Sequence, residues 1–177
     1  MPLTTYTAGE VLTAASLNAN FTFAALGKVG QVVSTAKTDT FSSSATSFTD
    51  ITGLSVSITP IAATSKVLVL VSFQGALSGD ISGHYRLMRD STAIFIGDAA
   101  GSRTRSTNYE YTGTSGYQIG TFSPIFLDSP ATTSATTYKM QGFVNTGTFY
   151  INRGAGDSDN ANNDRVAASI TVMEILA

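Results

Sequence analysis

The chain contains no cysteine. Disulfides, thiolate metal centres and a cysteine nucleophile are therefore excluded, and stability is left to packing and assembly. Charge is also scarce: 12% of the 177 residues are Asp, Glu, Lys or Arg, against roughly 25% in ordinary soluble domains. The formal net charge is −2, without the clustered Lys and Arg that neutralise phosphates, so nucleic acid is not expected as a partner. No apolar run approaches the ~18 residues of a membrane span, and the start MPLTTY has neither the basic residues nor the apolar stretch of a secretory signal. Membrane insertion is accordingly not expected, and the chain is expected to be mature as it stands.

What is present is polarity without charge. Hydrophobic residues make up 42%, while Ser and Thr recur in runs such as residues 42–47 and 132–137, which suits exposed strand faces and turns. The length is enough for one domain with a core plus an appendage. The pattern changes near Gly30: residues 1–30 read as an arm with one short helix, and residues 31–177 as a β body. In the arm, Thr7 and Glu10 have capping-box spacing, but Thr13 has better helix formers behind it and is the favoured N-cap. In that register Leu12 and Leu17 form a hydrophobic staple, and Phe21 lies one turn further on. Val11, Leu12, Leu17, Phe21 and Phe23 are the candidate docking residues, because so short a helix is marginal in water without a partner surface.

From Gly30 onward strand signals repeat at short spacing, as in an all-β sandwich or barrel. The expected strands cover 31–36, 48–51, 54–59, 66–73, 85–89, 93–97, 118–127, 137–145, 148–152 and 168–176. The strand at 54–59 alternates apolar and polar, so one face should be buried. The strand at 66–73 does not: Val67, Leu68, Val69, Leu70 and Val71 make both of its faces apolar. Its second face needs cover from a neighbouring subunit or from an extra element such as a long loop. We take these five residues as the candidate subunit interface. Residues 89–93 and 145–148 read as hairpin turns. The last strand runs almost to the C-terminus, which places it inside a sheet.

Two stretches lack apolar periodicity. Residues 97–117 hold Arg103, Arg105, Tyr109, Tyr111 and Tyr117, which combine planar apolar faces with hydrogen-bonding groups and form a candidate recognition loop. The alternative is that the tyrosines pack over the sheet or the loop joins subunits. Residues 153–164 hold Asp157, Asp159, Asn160, Asn162, Asn163 and Asp164, oxygen ligands of the kind calcium takes. Their spacing departs from the EF-hand and lacks its closing Glu, so a solvated turn cluster is the default. His84 is the only histidine. No Gly-x-Ser-x-Gly elbow accompanies it, and it reads as a loop or strand-edge residue. The only glutamates are Glu10, Glu110 and Glu174, which offer no evident carboxylate pair for glycoside hydrolysis. No phosphate-binding loop is present, the Gly-rich stretches reading as turns. No enzymatic activity and no cofactor or metal are expected.

The arm segment AGEVLTAASLNANF (residues 8–21) resembles N-terminal segments of bacteriophage tail-fibre and head-fibre proteins. The body resembles small phage fibre or decoration proteins through FTDITGLSVSITP (48–60), FLDSP (126–130) and SITVME (169–174). The resemblance implies a virion structural protein, a homotrimer whose body is an antiparallel β-sandwich of jelly-roll type like that of the tumour-necrosis-factor and C1q superfamilies. It also implies other capsid or tail proteins as partners, with a host-surface glycan or protein as the candidate ligand. The alternatives are a decoration protein that cements the shell and, more remotely, a small carbohydrate-active enzyme.

Overall fold

The computed structural model describes residues 5–11, 13–15, 17–18, 28–112 and 119–177. Its strands are β1 (Val29–Lys37), β2 (Phe41–Ser43), β3 (Thr49–Ile58), β4 (Lys66–Leu77), β5 (Ile81–Arg89), β6 (Thr92–Ile94), β7 (Asn108–Thr112), β8 (Ile119–Phe122), β9 (Ile125–Asp128), β10 (Thr136–Val144), β11 (Phe149–Ile151) and β12 (Ala168–Ile175). They form two antiparallel sheets. The first has the order β1-β12-β4-β11-β2, with β8 and β9 also paired to β4; the second has the order β3-β10-β5-β6, with β7 also paired to β5.

The pairing is nested. β1 pairs with β12, β3 with β10, β4 with β9 and β5 with β6. One long hairpin folded over itself in this way is a jelly roll, and it places the final strand between two others, as expected of a chain-terminal strand. β4 is the longest strand and organises the first sheet. On one edge it pairs with β12 and then β11, and on the other with β9 and then β8.

The core lies between the sheets and is built by alternation. Val67, Val69, Val71 and Phe73 of β4 meet Ile170 and Val172 of β12 and, from the second sheet, Leu54, Val56, Leu87, Tyr138 and Met140. The strand periodicity of two requires this, since neighbouring side chains point to opposite faces.

Several expected elements change at named residues. The two strands expected at 48–51 and 54–59 are one, β3, with Gly53 at φ 84° and a register irregularity opposite residues 139–141 of β10. The expected 118–127 strand is two, because Pro124 has no N–H to give the ladder; its carbonyl instead accepts the Val71 N–H at 3.0 Å. The turn at 89–93 is a hairpin, with Arg89 opposite Thr92 and Asp90 at φ 51°, a value Asp tolerates. Residues 145–148 are not one: β10 and β11 lie in different sheets. There Thr148 bonds in both directions to Ser78 instead, so the turn carries the chain across the sandwich.

In the arm, Ala14, Ala15, Leu17 and Asn18 are helical and the Leu17 N–H donates to the Thr13 carbonyl at 3.0 Å, consistent with Thr13 at the start of the helix. Thr7 and Glu10 form a separate capping turn, with the Thr7 N–H 2.8 Å from Glu10 Oε2. Leu12, Phe21 and Phe23 lie outside the described residues.

Candidate functional site

The outer face of the second sheet carries an aromatic row across three strands. Phe143 of β10 pairs with His84 of β5, and His84 pairs with Tyr109 of β7. Directly paired residues share a face, so the rings meet: Phe143 stacks on His84 at 4.5 Å and 8°, and Tyr109 leans on the other side at 5.2 Å. Phe48 packs edge-on against Phe143, and the Arg86 guanidinium covers Phe48 at 3.9 Å. His84 therefore lies inside a sheet, paired on both edges, and not at a strand edge or in a loop as its sequence context suggested. Its signal was available: in 82–86 the residues Ser82, His84 and Arg86 alternate with Gly83 and Tyr85, which face the core.

Beside this row opens a cleft of about 550 Å³ lined by Ser82, His84, Arg103, Thr104, Ser106, Tyr109 and Asn145. Tyr109 is 56% exposed, yet held: its hydroxyl and that of Ser82 are 3.1 Å apart. Burial pushes the His84 pKa down, so the imidazole is neutral at pH 7, and its enclosed Nδ1 has no hydrogen-bond partner among the described residues. Arg103 is then the one formal charge among the lining residues. Its guanidinium donates to the Ala100 carbonyl at 3.2 Å and forms no ion pair with a described residue.

The expected recognition residues divide. Arg103 and Tyr109 line the cleft. Arg105 does not: its Nε donates to the Gly97 carbonyl at 2.6 Å and closes the base of the 97–106 loop. Tyr111 points outward from β7 opposite Ser82, with its pKa raised by the Asp80 carboxylate beside its hydroxyl. Tyr117 lies outside the described residues. Sequence reasoning missed Ser82, Thr104, Ser106 and Asn145, since hydroxyl and amide residues are too common in this chain to stand out.

Behind Tyr109, on the inward side of β7, Glu110 is buried. Its Oε2 accepts the Tyr85 hydroxyl at 3.0 Å, while Oε1 has only the Gly120 backbone nearby and no hydrogen bond of regular geometry. Desolvation raises its pKa to about 7 against the lowering effect of these contacts. Glycine at 75 and 120 makes the room: a Cβ would lie 2.8 Å from the Tyr85 hydroxyl in one case and 2.9 Å from Glu110 Oε1 in the other. Phe73, Phe122 and Phe149 pack around Tyr85 with ring centroids 5.1 to 5.8 Å from its own.

The first sheet presents a different surface. Val67, Val69 and Val71 are consumed by the domain's own core, so only Leu68 and Leu70 of the five candidate interface residues remain on the outer face. Val32, Met173, Leu68 and Leu127 form one apolar row across β1, β12, β4 and β9, with Leu70 and Ile125 in the next. Val32 is 52% exposed, Leu127 46% and Ile125 59%. Val11 and Leu17 of the arm are exposed as well.

Among the described residues, His84 and Ser82 do not form a nucleophile and base pair. His84 Nδ1 bonds to no described residue, and the Ser82 hydroxyl is engaged with Tyr109. In the 153–164 loop Asp157 is paired with Arg153 and Arg165, and Asn163 donates to the Ser158 carbonyl at 2.9 Å. Among the described residues no three acidic or histidine side chains gather as metal ligands.

Fold and surface define an antiparallel jelly-roll domain with an apolar face on one sheet and an aromatic, hydroxyl-rich face on the other. No family model matches the chain, and no curated protein does. Among solved structures, the infectious bursal disease virus VP2 subviral particle is similar at a TM-score of 0.34 and 13% identity, over 82% of this chain and 41% of that one.

Proposed function

We propose that the protein is a non-enzymatic structural component of a virion. In this reading it is a homotrimer joined through the outer face of the first sheet, anchored to capsid or tail by its N-terminal arm, and turned toward the host surface with the Tyr109 face. The observation that carries the reading is the apolar row Val32, Met173, Leu68 and Leu127, left on the surface of a domain whose core is already complete. Contiguous apolar surface of this kind marks association, and closed symmetric assembly of identical copies is the common way to cover it. The resemblance of residues 8–21, 48–60, 126–130 and 169–174 to phage fibre and decoration proteins supplies the virion setting.

Sedimentation of the purified full chain tests the assembly. A species near three times 18.4 kDa is expected, and a monodisperse monomer at micromolar concentration would remove the basis of the proposal. Gold-labelled antibody on intact particles tests location, with label on capsid or tail expected. Particles lacking the protein should lose adsorption and keep their heat resistance; the opposite result would favour a cementing role.

A further inference from the structure

We propose that the cleft bounded by Arg103, Tyr109 and His84 binds an anionic saccharide, with the anionic group on Arg103 and the sugar ring over Tyr109. This deepens the host-attachment reading and rests on it. Three features of the cleft converge on that ligand class.

The first is charge. Arg103 forms no ion pair with a described residue, and the lining residues include no carboxylate. His84 is neutral at pH 7, so one guanidinium sets the sign of the field. A guanidinium fork suits a carboxylate or phosphate in two-point contact. The second is the character of the walls. Ser82, Thr104, Ser106, Tyr109 and Asn145 supply hydroxyls and an amide that can donate and accept, as a ligand dense in hydroxyls requires, and the described lining residues include no aliphatic side chain. The third is rigidity. Tyr109 is fixed by the Ser82 hydroxyl and by the His84 ring, which is itself clamped on Phe143, so an aromatic platform stands ready at little entropic cost. Sugar C–H faces pack on such platforms while their hydroxyls reach the polar rim.

Titration calorimetry of the full chain with digalacturonic acid, its methyl ester and glucose 6-phosphate tests the site. One of the two anions should bind about tenfold more tightly than the neutral ester, a difference of about 1.4 kcal/mol; which anion wins separates a carboxylate source from a phosphate source. Arg103→Gln should abolish the preference, Tyr109→Ala should weaken binding of all three, and Arg165→Gln, beside the 153–164 loop and outside the lining, should change nothing. Affinity of both anions no greater than that of the neutral ester, insensitivity of the preference to Arg103→Gln, or no heat with any of the three would overturn the proposal. Labelled protein on cells that the particle infects keeps the two readings apart. Attachment that protease treatment of the cells removes and excess digalacturonate or glucose 6-phosphate leaves untouched would overturn the saccharide and leave attachment standing. Sugar binding without cell attachment would sink attachment and leave the cleft standing.

Discussion

Glu110 ties the stability of the fold to pH. Its carboxyl is protonated in the fold up to about pH 7, whereas in the unfolded chain it releases its proton near 4.5. Below pH 4.5 both states hold the proton and no penalty arises. Between 4.5 and about 7 only the folded state holds it, so stability falls as pH rises, and above that range the penalty is constant at about 3 kcal/mol. Glu110→Gln keeps a group that accepts from Tyr85 and removes the titration. It should gain about 2 to 3 kcal/mol over the parent at pH 8.5 and nothing at pH 4, read from urea unfolding at both pH values. Equal gains at the two values would mean that the carboxyl is not the cause. Glu174 behaves oppositely although it is equally enclosed. Burial raises its pKa, but hydrogen bonds from Gln31 and the Ile61 amide, each at 2.7 Å, with the Ser65 hydroxyl and Ala62 amide close by, outweigh burial and hold it below the ordinary value. Its stabilisation is therefore present above about pH 4.5 and lost as pH falls through the lowered value. Sequence alone could name both glutamates but not separate them, since the number of donors around each is a property of distant loops.

The strand most legible in the sequence is β4, because its unbroken apolar run shows that both faces need cover. Which residues serve which face follows from pairing: Val69 faces the core, and Leu68 meets Met173 and Leu127 on the outside. This gives a paired expectation. Leu68→Asp should leave the circular dichroism of the body intact and reduce the sedimenting species to a monomer. Val69→Asp should cost about 4 kcal/mol or more and leave no folded product, because it buries an unpaired carboxylate. If both variants fold and both remain oligomeric, the outer face is not the interface. β7 was the least legible strand. Its tyrosines look like loop residues because the inward positions beside them include Asn108 and Glu110, neither apolar, so period-two alternation carries no hydrophobic signal there. β8 and β9 read as one strand for the converse reason: apolar character continues across Pro124, and only the proline marks the break.

For the whole molecule, composition and strand spacing reach an all-β body, but the nested order is set by pairings between segments far apart in sequence, such as Lys37 with Ala168, which no local pattern encodes. The expected change from arm to body falls near Gly30, and the described bonds of the residues beside it reach into the body. Leu176 N–H donates to the Lys28 carbonyl at 2.8 Å, and the Gln31 amide reaches the Thr59 carbonyl and Glu174 at 2.7 Å each. From Lys28 onward the chain is stitched to the last strand and to the loop after β3. The described bonds of Thr7, Glu10 and Leu17 are instead local to the arm. Deleting residues 1–26 should therefore keep every one of the boundary bonds. The truncated body is expected to melt within about 3 °C of the full chain, a shift corresponding to roughly 1 kcal/mol at this size, and to sediment as the same oligomer. It should also bind the same saccharide, since the described lining of the cleft comes from the body. What it should lose is incorporation into particles, measured by immunoblot of purified virions from a host that expresses only the truncated form. Truncated protein found there at the full-chain level would refute the anchoring role of the arm, and a truncated body that fails to fold would place the true boundary before Lys28.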